Sequence, residues 1–190
     1  MRKRNRIFKC LSLIGILTPY IVSSQSKDIV ENDSLILWQE NRMLEWNDFK
    51  GKQLDFHGNV LAETHGDIVI LSKKRVDYVP IIKIGTYFKK YSSWTITEDV
   101  LSLNHEQIHF DIYELFTRKI REAFCKLNDE GNIDLEKYEE AFNEFIEENN
   151  RYNELYDVDV LTNQSKQKEW RLKVTKELEE LKEYEYIPEE

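Results

Sequence analysis

Two hydrophobic rhythms divide the chain. Between about residue 35 and residue 96 the apolar positions come in short runs rich in Val, Ile, Tyr, Trp and Phe, broken by Gly51, Gly58, Gly66, Pro80 and Gly85. Runs of this length between chain breakers read as strands, expected at 35–38, 60–64, 67–71, 81–88 and 93–96. From Thr97 the spacing changes to three and four. Leu101, Ile108, Ile112, Leu115, Phe116, Ile120, Ala123, Phe124 and Leu127 fall on one stripe of a helix, with Thr97 as the expected N-cap and Glu98 and Asp99 as first-turn acids. A loop at 128–132 carries Gly131, and Asp134 opens a second helix expected to run to about 155. A third is expected from about 164 to 184, with Trp170, Val174, Leu178 and Leu181 inward and a charged, solvated outer face. Strands followed by helices predict an α+β domain: a small twisted, mainly antiparallel sheet packed on the first helix, followed by two further helices.

The first 34 residues follow neither rhythm. Arg2, Lys3, Arg4, Arg6 and Lys9 precede an apolar run from 11 to 22, and Val22, Ser23 and Ser24 supply small residues for cleavage. The run is about a dozen residues, short of the ~20 that span a bilayer, so 1–24 reads as a cleaved signal peptide and not as a membrane anchor. The mature protein is then expected to be secreted or periplasmic, without a stable membrane span. Residues 25–34 are polar and read as a loose leader, and 35–190 as a single domain. The acids number 36 against 27 bases, and the signal segment takes away five bases and no acid. That surplus excludes a non-specific nucleic-acid binder, which needs clustered Lys and Arg. Cys125 is the one Cys beyond the signal segment, so no internal disulfide is expected to hold the core.

The chemistry concentrates on the first helix. His105-Glu106-Gln107-Ile108-His109 is an HExxH sequence. Residues four apart on a helix differ by about 40° round the axis, so both imidazoles face one way and can share an ion. Glu106 lies about 100° from His105 and about 60° from His109, where it reaches a water at the metal without occupying the metal. Two neutral nitrogen ligands suit zinc, and Glu106 is the expected general base. Both His lie in the apolar stripe, where an unpartnered polar ring would cost about 1–3 kcal/mol, and a shared ion removes that cost. Asp111 and Glu114 are about 200° and about 140° from His109, so neither joins the pair, and a third ligand must come from another segment.

These residues also carry a family resemblance. His105 to Leu115 reads HEQIHFDIYEL, with Ser93-Trp94 before it, Trp46-Asn47-Asp48-Phe49-Lys50-Gly51 further upstream, and Leu61-Ala62-Glu63-Thr64 between. Together, over about 46 to 170, they resemble the bacterial Domain of Unknown Function 922 family, described as predicted secreted zinc-dependent proteases and common in the Bacteroidetes. The resemblance implies a hydrolase with a zinc site; the expected α+β domain is zincin-like, and an exposed edge strand that could align an extended chain favours a peptide or protein substrate. Members carry a downstream Tyr-Asp-x-Glu-Thr-x-His-Gly segment whose His is a plausible third ligand. Here the matching stretch is Tyr156-Asp157-Val158-Asp159-Val160-Leu161-Thr162-Asn163, so Thr162 stands where that His would be. Asp157, which keeps its place beside Tyr156, is the first choice for the third ligand, with Asp159 second and His65 third. His57 beside Gly58 reads as a loop residue, and Glu139, Glu140, Glu144 and Glu147 as a solvated face. Tyr156 is read as a core residue, with an oxyanion-binding role as the alternative. Two rival readings remain at this level: a catalytically decayed envelope or binding protein on the same fold, and a structural zinc module with a closed site.

Overall fold

The computed structural model describes residues 29–53 and 60–188. The stretch 1–24 expected to be a signal peptide, His57 and Gly58 lie outside them. Among the described residues five strands precede three helices. Strand β1 (Leu35–Leu37), β3 (Gly66–Val76) and β4 (Val79–Lys89) form an antiparallel sheet in the order β1-β4-β3, and β2 (Ala62–Glu63) pairs with β5 (Trp94–Thr95) in a separate two-stranded ribbon. Helices α1 (Val100–Asp129), α2 (Leu135–Thr162) and α3 (Lys166–Glu180) follow, with short 3-10 turns at Trp46–Asp48 and Lys182–Tyr184. No helix among the described residues is long and apolar enough to cross a membrane.

The two long strands extend well beyond their apolar runs because they close into one hairpin. Asp77 and Tyr78 both have positive φ, 49° and 72°, the requirement of the two-residue turn that matches strand twist. Pro80, expected as a break, lies inside β4. It is tolerated because β1 pairs only with residues 87–89 of β4, so no strand needs an N–H from Pro80 on that side. Gly66 opens β3 where a Cβ would stand 2.3 Å from the Tyr113 ring, so the strand and α1 approach more closely than any side chain allows.

Helix α1 begins two residues later than expected. Asp99, not Thr97, is the cap, its carboxylate accepting from Ser102 N at 2.8 Å and from Ser102 Oγ at 3.1 Å. Val100 and Leu101 sit in the first turn and are exposed, so the buried apolar stripe begins at Ile108, about two turns beyond the expected Leu101. From Ile108 on the expected stripe is correct: Ile108, Ile112, Leu115, Phe116, Ile120 and Phe124 are buried. At the other end Gly131, at φ 65°, turns the chain out of the helix, with Asn132 N bonded to Leu127 O. Asp134 caps α2 as expected, but the helix runs on to Thr162. Its inward stripe continues through Tyr152, Tyr156 and Val160, so packing carries the helix past residue 155 despite the β-branched Val158 and Val160. On α3 the inward residues Trp170, Val174 and Leu178 are buried, with Leu181 packed against them.

Two buried carboxylates hold α1 among its neighbours. Glu114, 2 % exposed, accepts from Thr86 Oγ1 of β4 at 2.8 Å, from Arg118 Nε at 3.0 Å and from Arg121 at 2.8 Å. The two guanidiniums pass the connection on, to Leu178 O on α3 and to Ile84 O and Tyr184 O. Asp111 accepts from Trp38 Nε1 just after β1, from Gln107 and from Arg171 of α3, at 3.0, 2.8 and 2.9 Å. Spacing alone offered no role for Asp111. Its role is to join three elements.

Residues 29–34 belong to the stretch expected as a loose leader, yet here they are tied down. Ile29 O accepts from Tyr87 Oη, Glu31 bridges to Ile36, and the Glu31 carboxylate binds Arg42 and Lys90. The Arg42 hydrogen bond, then that of Lys90, pulls the Glu31 pKa from 4.5 to about 2. A depressed carboxylate contributes stability that is complete above the unfolded pKa and is lost as pH falls through the folded one. The stability gap between the wild type and Glu31→Gln is therefore expected to be constant above about pH 5 and to close towards pH 2 in urea titrations. A gap that widens on acidification would contradict this ion-pair assignment. Glu114→Ala removes the carboxylate partner of the buried Arg118 and the half-buried Arg121 and is expected to cost about 3–5 kcal/mol, where a loss below about 1 kcal/mol would show the node to be incidental.

Candidate metal centre

The N-terminal half of α1 lies against the C-terminal half of α2, and the side chains of His105, His109 and Asp157 meet there. His105 Nε2 and His109 Nε2 are 3.0 Å apart, and Asp157 Oδ1 is 3.1 Å from the first and 2.9 Å from the second. The three residues could together hold a metal ion. For a tetrahedral ion with bonds of about 2.0–2.1 Å the ligand atoms stand about 3.3 Å apart, so this triangle needs to open by only about 0.3 Å. The helical spacing thus brings both imidazoles to one side of α1, as expected.

Among the three candidates for the third ligand, Asp157 is the one that joins the pair. Asp159, two residues on, points round α2 and accepts from Trp170 Nε1 at 3.0 Å. His65 Nε2 is 3.1 Å from Glu63 Oε1, and neither residue belongs to the cluster. The extension of α2 decides this. Because residue 157 is still helical, its carboxylate faces α1, and the residues that turn away from it include Asp159.

His109 and Asp157 shift each other in opposite directions. Burial pushes the His109 imidazole down, but the Asp157 hydrogen bond and charge, helped by Glu106 and Asn153, outweigh it and leave the pKa raised. Burial pushes Asp157 up, and the hydrogen bonds and charges of His105 and His109 pull it well below the usual carboxylate range. The Asp157 side chain is 55 % exposed, so the cluster opens to solvent on that side. Its floor is aromatic: Tyr156 stacks on His105 at 4.6 Å, meets His109 edge-on at 4.9 Å, and has Trp170 behind it at 5.4 Å.

Glu106 is 4 % exposed, and its Oε2 is buried without a hydrogen-bond partner. Its charge is felt by both His109 and Tyr156, so the carboxylate stands within electrostatic reach of the cluster. Its backbone carbonyl accepts from Thr64 Oγ1 at 3.3 Å, which fastens the loop after β2 to this turn of α1. Tyr156 is fully buried, in keeping with a core role, and its hydroxyl also lacks a partner. Burial holds that hydroxyl well above the ordinary tyrosine pKa; Arg171 opposes the shift, and Glu106 and Asp157 add to it. Sequence reasoning missed Asn153, whose Oδ1 is 2.7 Å from His109 Nδ1. The available signal was its position one turn before Asp157 on the same helix face.

No family model matches the chain, and neither a curated protein nor a solved structure matches it. The site is therefore read from its own geometry. With zinc or cobalt as the probe, Asp157→Ala is expected to weaken binding by more than the roughly 10–100-fold typical of an outer-shell change, while Asp159→Ala leaves affinity unchanged. Equal losses in a chelator competition would mean that the triangle is not the binding site.

Proposed function

We propose that this chain is a secreted zinc-dependent hydrolase acting on peptides or proteins. The observation that carries the reading is the convergence of two imidazole nitrogens and one carboxylate oxygen beside a buried Glu106 with a free oxygen. The donors fit zinc: two His and one carboxylate leave a fourth position open, as catalytic sites require. The same donor set serves ferrous iron in oxygenases, and the presence of Glu106 on the same turn turns the reading to hydrolysis.

Zinc bound there would supply Lewis acidity and bring an attacking water into the neutral titration range. Glu106 would take the proton from that water, which would also give its Oε2 the hydrogen bond it lacks. The aromatic floor of Tyr156 and Trp170 excludes solvent from one side of the ligands and holds the His105 ring flat. Peptides are favoured for two reasons. The sheet order leaves the outer edge of β3 unpaired among the described residues, a place where an extended chain could pair. The resemblance in the HEQIHFDIYEL stretch points the same way. Export is supported by the basic, apolar and small-residue order of the first 24 residues.

Glu106→Gln preserves shape and removes the base. The variant is expected to keep near-stoichiometric zinc while hydrolysis of a general protein substrate falls by a factor on the order of 10² to 10⁴. Metal analysis and a casein-type assay on the same preparation read both quantities. Wild-type protein that takes up no zinc would end the enzyme reading in favour of a non-catalytic binding protein. Zinc uptake with equal hydrolysis in both proteins would remove Glu106 from the mechanism.

A further inference from the structure

Asn153 decides which nitrogen of His109 faces the cluster. Its Nδ2 donates to Asn149 O at 2.9 Å and to Asn149 Oδ1 at 3.2 Å. Both partners are acceptors, so turning the amide round would set Oδ1 against two other oxygens. Oδ1 is therefore the end presented to His109 Nδ1, at 2.7 Å. An amide oxygen has no hydrogen to give, so the hydrogen between them belongs to Nδ1. A neutral ring then carries none on Nε2.

This has a consequence on the other side of the ring. His109 Nε2 stands 2.9 Å from Asp157 Oδ1, a separation at which an Nε2–H would make an ordinary hydrogen bond. Asn153 removes that option for the neutral imidazole. The bare Nε2 of the neutral ring then faces Asp157 Oδ1 and His105 Nε2, an approach relieved by a bound cation, by a proton on His109 or by an Nε2–H on His105. Asn149, Asn153 and Asp157 follow at intervals of four along α2, so one helix face supplies a ligand and also orients the ligand of the facing helix.

We propose that Asn153 is the positioning residue of this centre: it selects the Nδ1–H tautomer of His109 and so turns a bare Nε2 towards His105 and Asp157. The tautomer assignment stands on hydrogen-bond geometry alone, and its effect on zinc rests on the metal reading above. Long-range proton–nitrogen correlation spectra of the metal-free full-length mature chain, taken at alkaline pH, read the tautomer directly. Wild type is expected to show Nδ1–H at His109. Asn153→Leu, which keeps volume and loses the acceptor, is expected to move the hydrogen to Nε2 and to weaken zinc about 10–100-fold in chelator competition. Asn153→Asp retains an acceptor and is expected to keep the wild-type tautomer. Nε2–H in the wild type would overturn the proposal, and that result needs no variant to fold. An Asn153→Leu protein with wild-type tautomer and zinc affinity would overturn it as well. A wild-type chain that shows Nδ1–H but binds no zinc supports the tautomer assignment and sinks the metal reading instead, so the two failures are distinguishable.

Discussion

A helix buried on most sides must find a partner for every polar group it carries, and α1 carries many. Leaving a buried carboxylate or guanidinium unpaired costs several kcal/mol, so the neighbours of α1 are chosen as much by hydrogen bonding as by apolar contact. Asp111 takes Trp38 from beside β1 and Arg171 from α3. One turn on, Glu114 takes Thr86 from β4 and gathers Arg118 and Arg121, which reach α3 and the chain beyond it. These contacts set the rotation of α1 about its own axis. A slip of one residue would turn both carboxylates by about 100° and leave them facing hydrocarbon.

That rotation is what places the cluster. With Asp111 and Glu114 held on the sheet and α3 sides, His105 and His109 are left to face α2, where Tyr156 and Asp157 meet them. The polar groups of the structural node are satisfied by the protein itself. Those around the cluster are satisfied only in part. Glu106 Oε2 and Tyr156 Oη are buried without partners, and two imidazole nitrogens and one carboxylate oxygen converge within 3.1 Å of one another. A cation held there would couple its occupancy to the stability of the fold. The contrast within one helix separates a part whose polar groups are paired by the protein from a part that could hold a metal ion.

Much of this was legible in the order of residues. The change from short apolar runs to three-and-four spacing near residue 97 marks the passage from strands to helices, because side-chain periodicity follows directly from backbone geometry. The HExxH spacing places two imidazoles on one side of α1 for the same reason. The cap at Asp134 and the exit at Gly131 are equally local. Local errors were of two residues where two capping residues competed, as with Thr97 and Asp99, and of up to five where a strand outran its apolar run to reach the hairpin turn, as β3 does from the expected 71 to Val76.

What sequence could not determine is whatever depends on two distant segments meeting. Asp157 stood first among three candidates by its place beside Tyr156, but only the continuation of α2 to Thr162, carried by the packing of Tyr156 and Val160, turns its carboxylate towards His109 and turns Asp159 towards Trp170. The role of Asp111 needs partners 73 and 60 residues away, and no spacing rule spans such distances. Asn153 is invisible in the sequence for a related reason: an Asn on a helix is ordinary until the facing helix supplies an imidazole nitrogen for it to hold. Helical periodicity is a property of one segment and so can be read from the chain, whereas the completion of a site is a property of how segments pack.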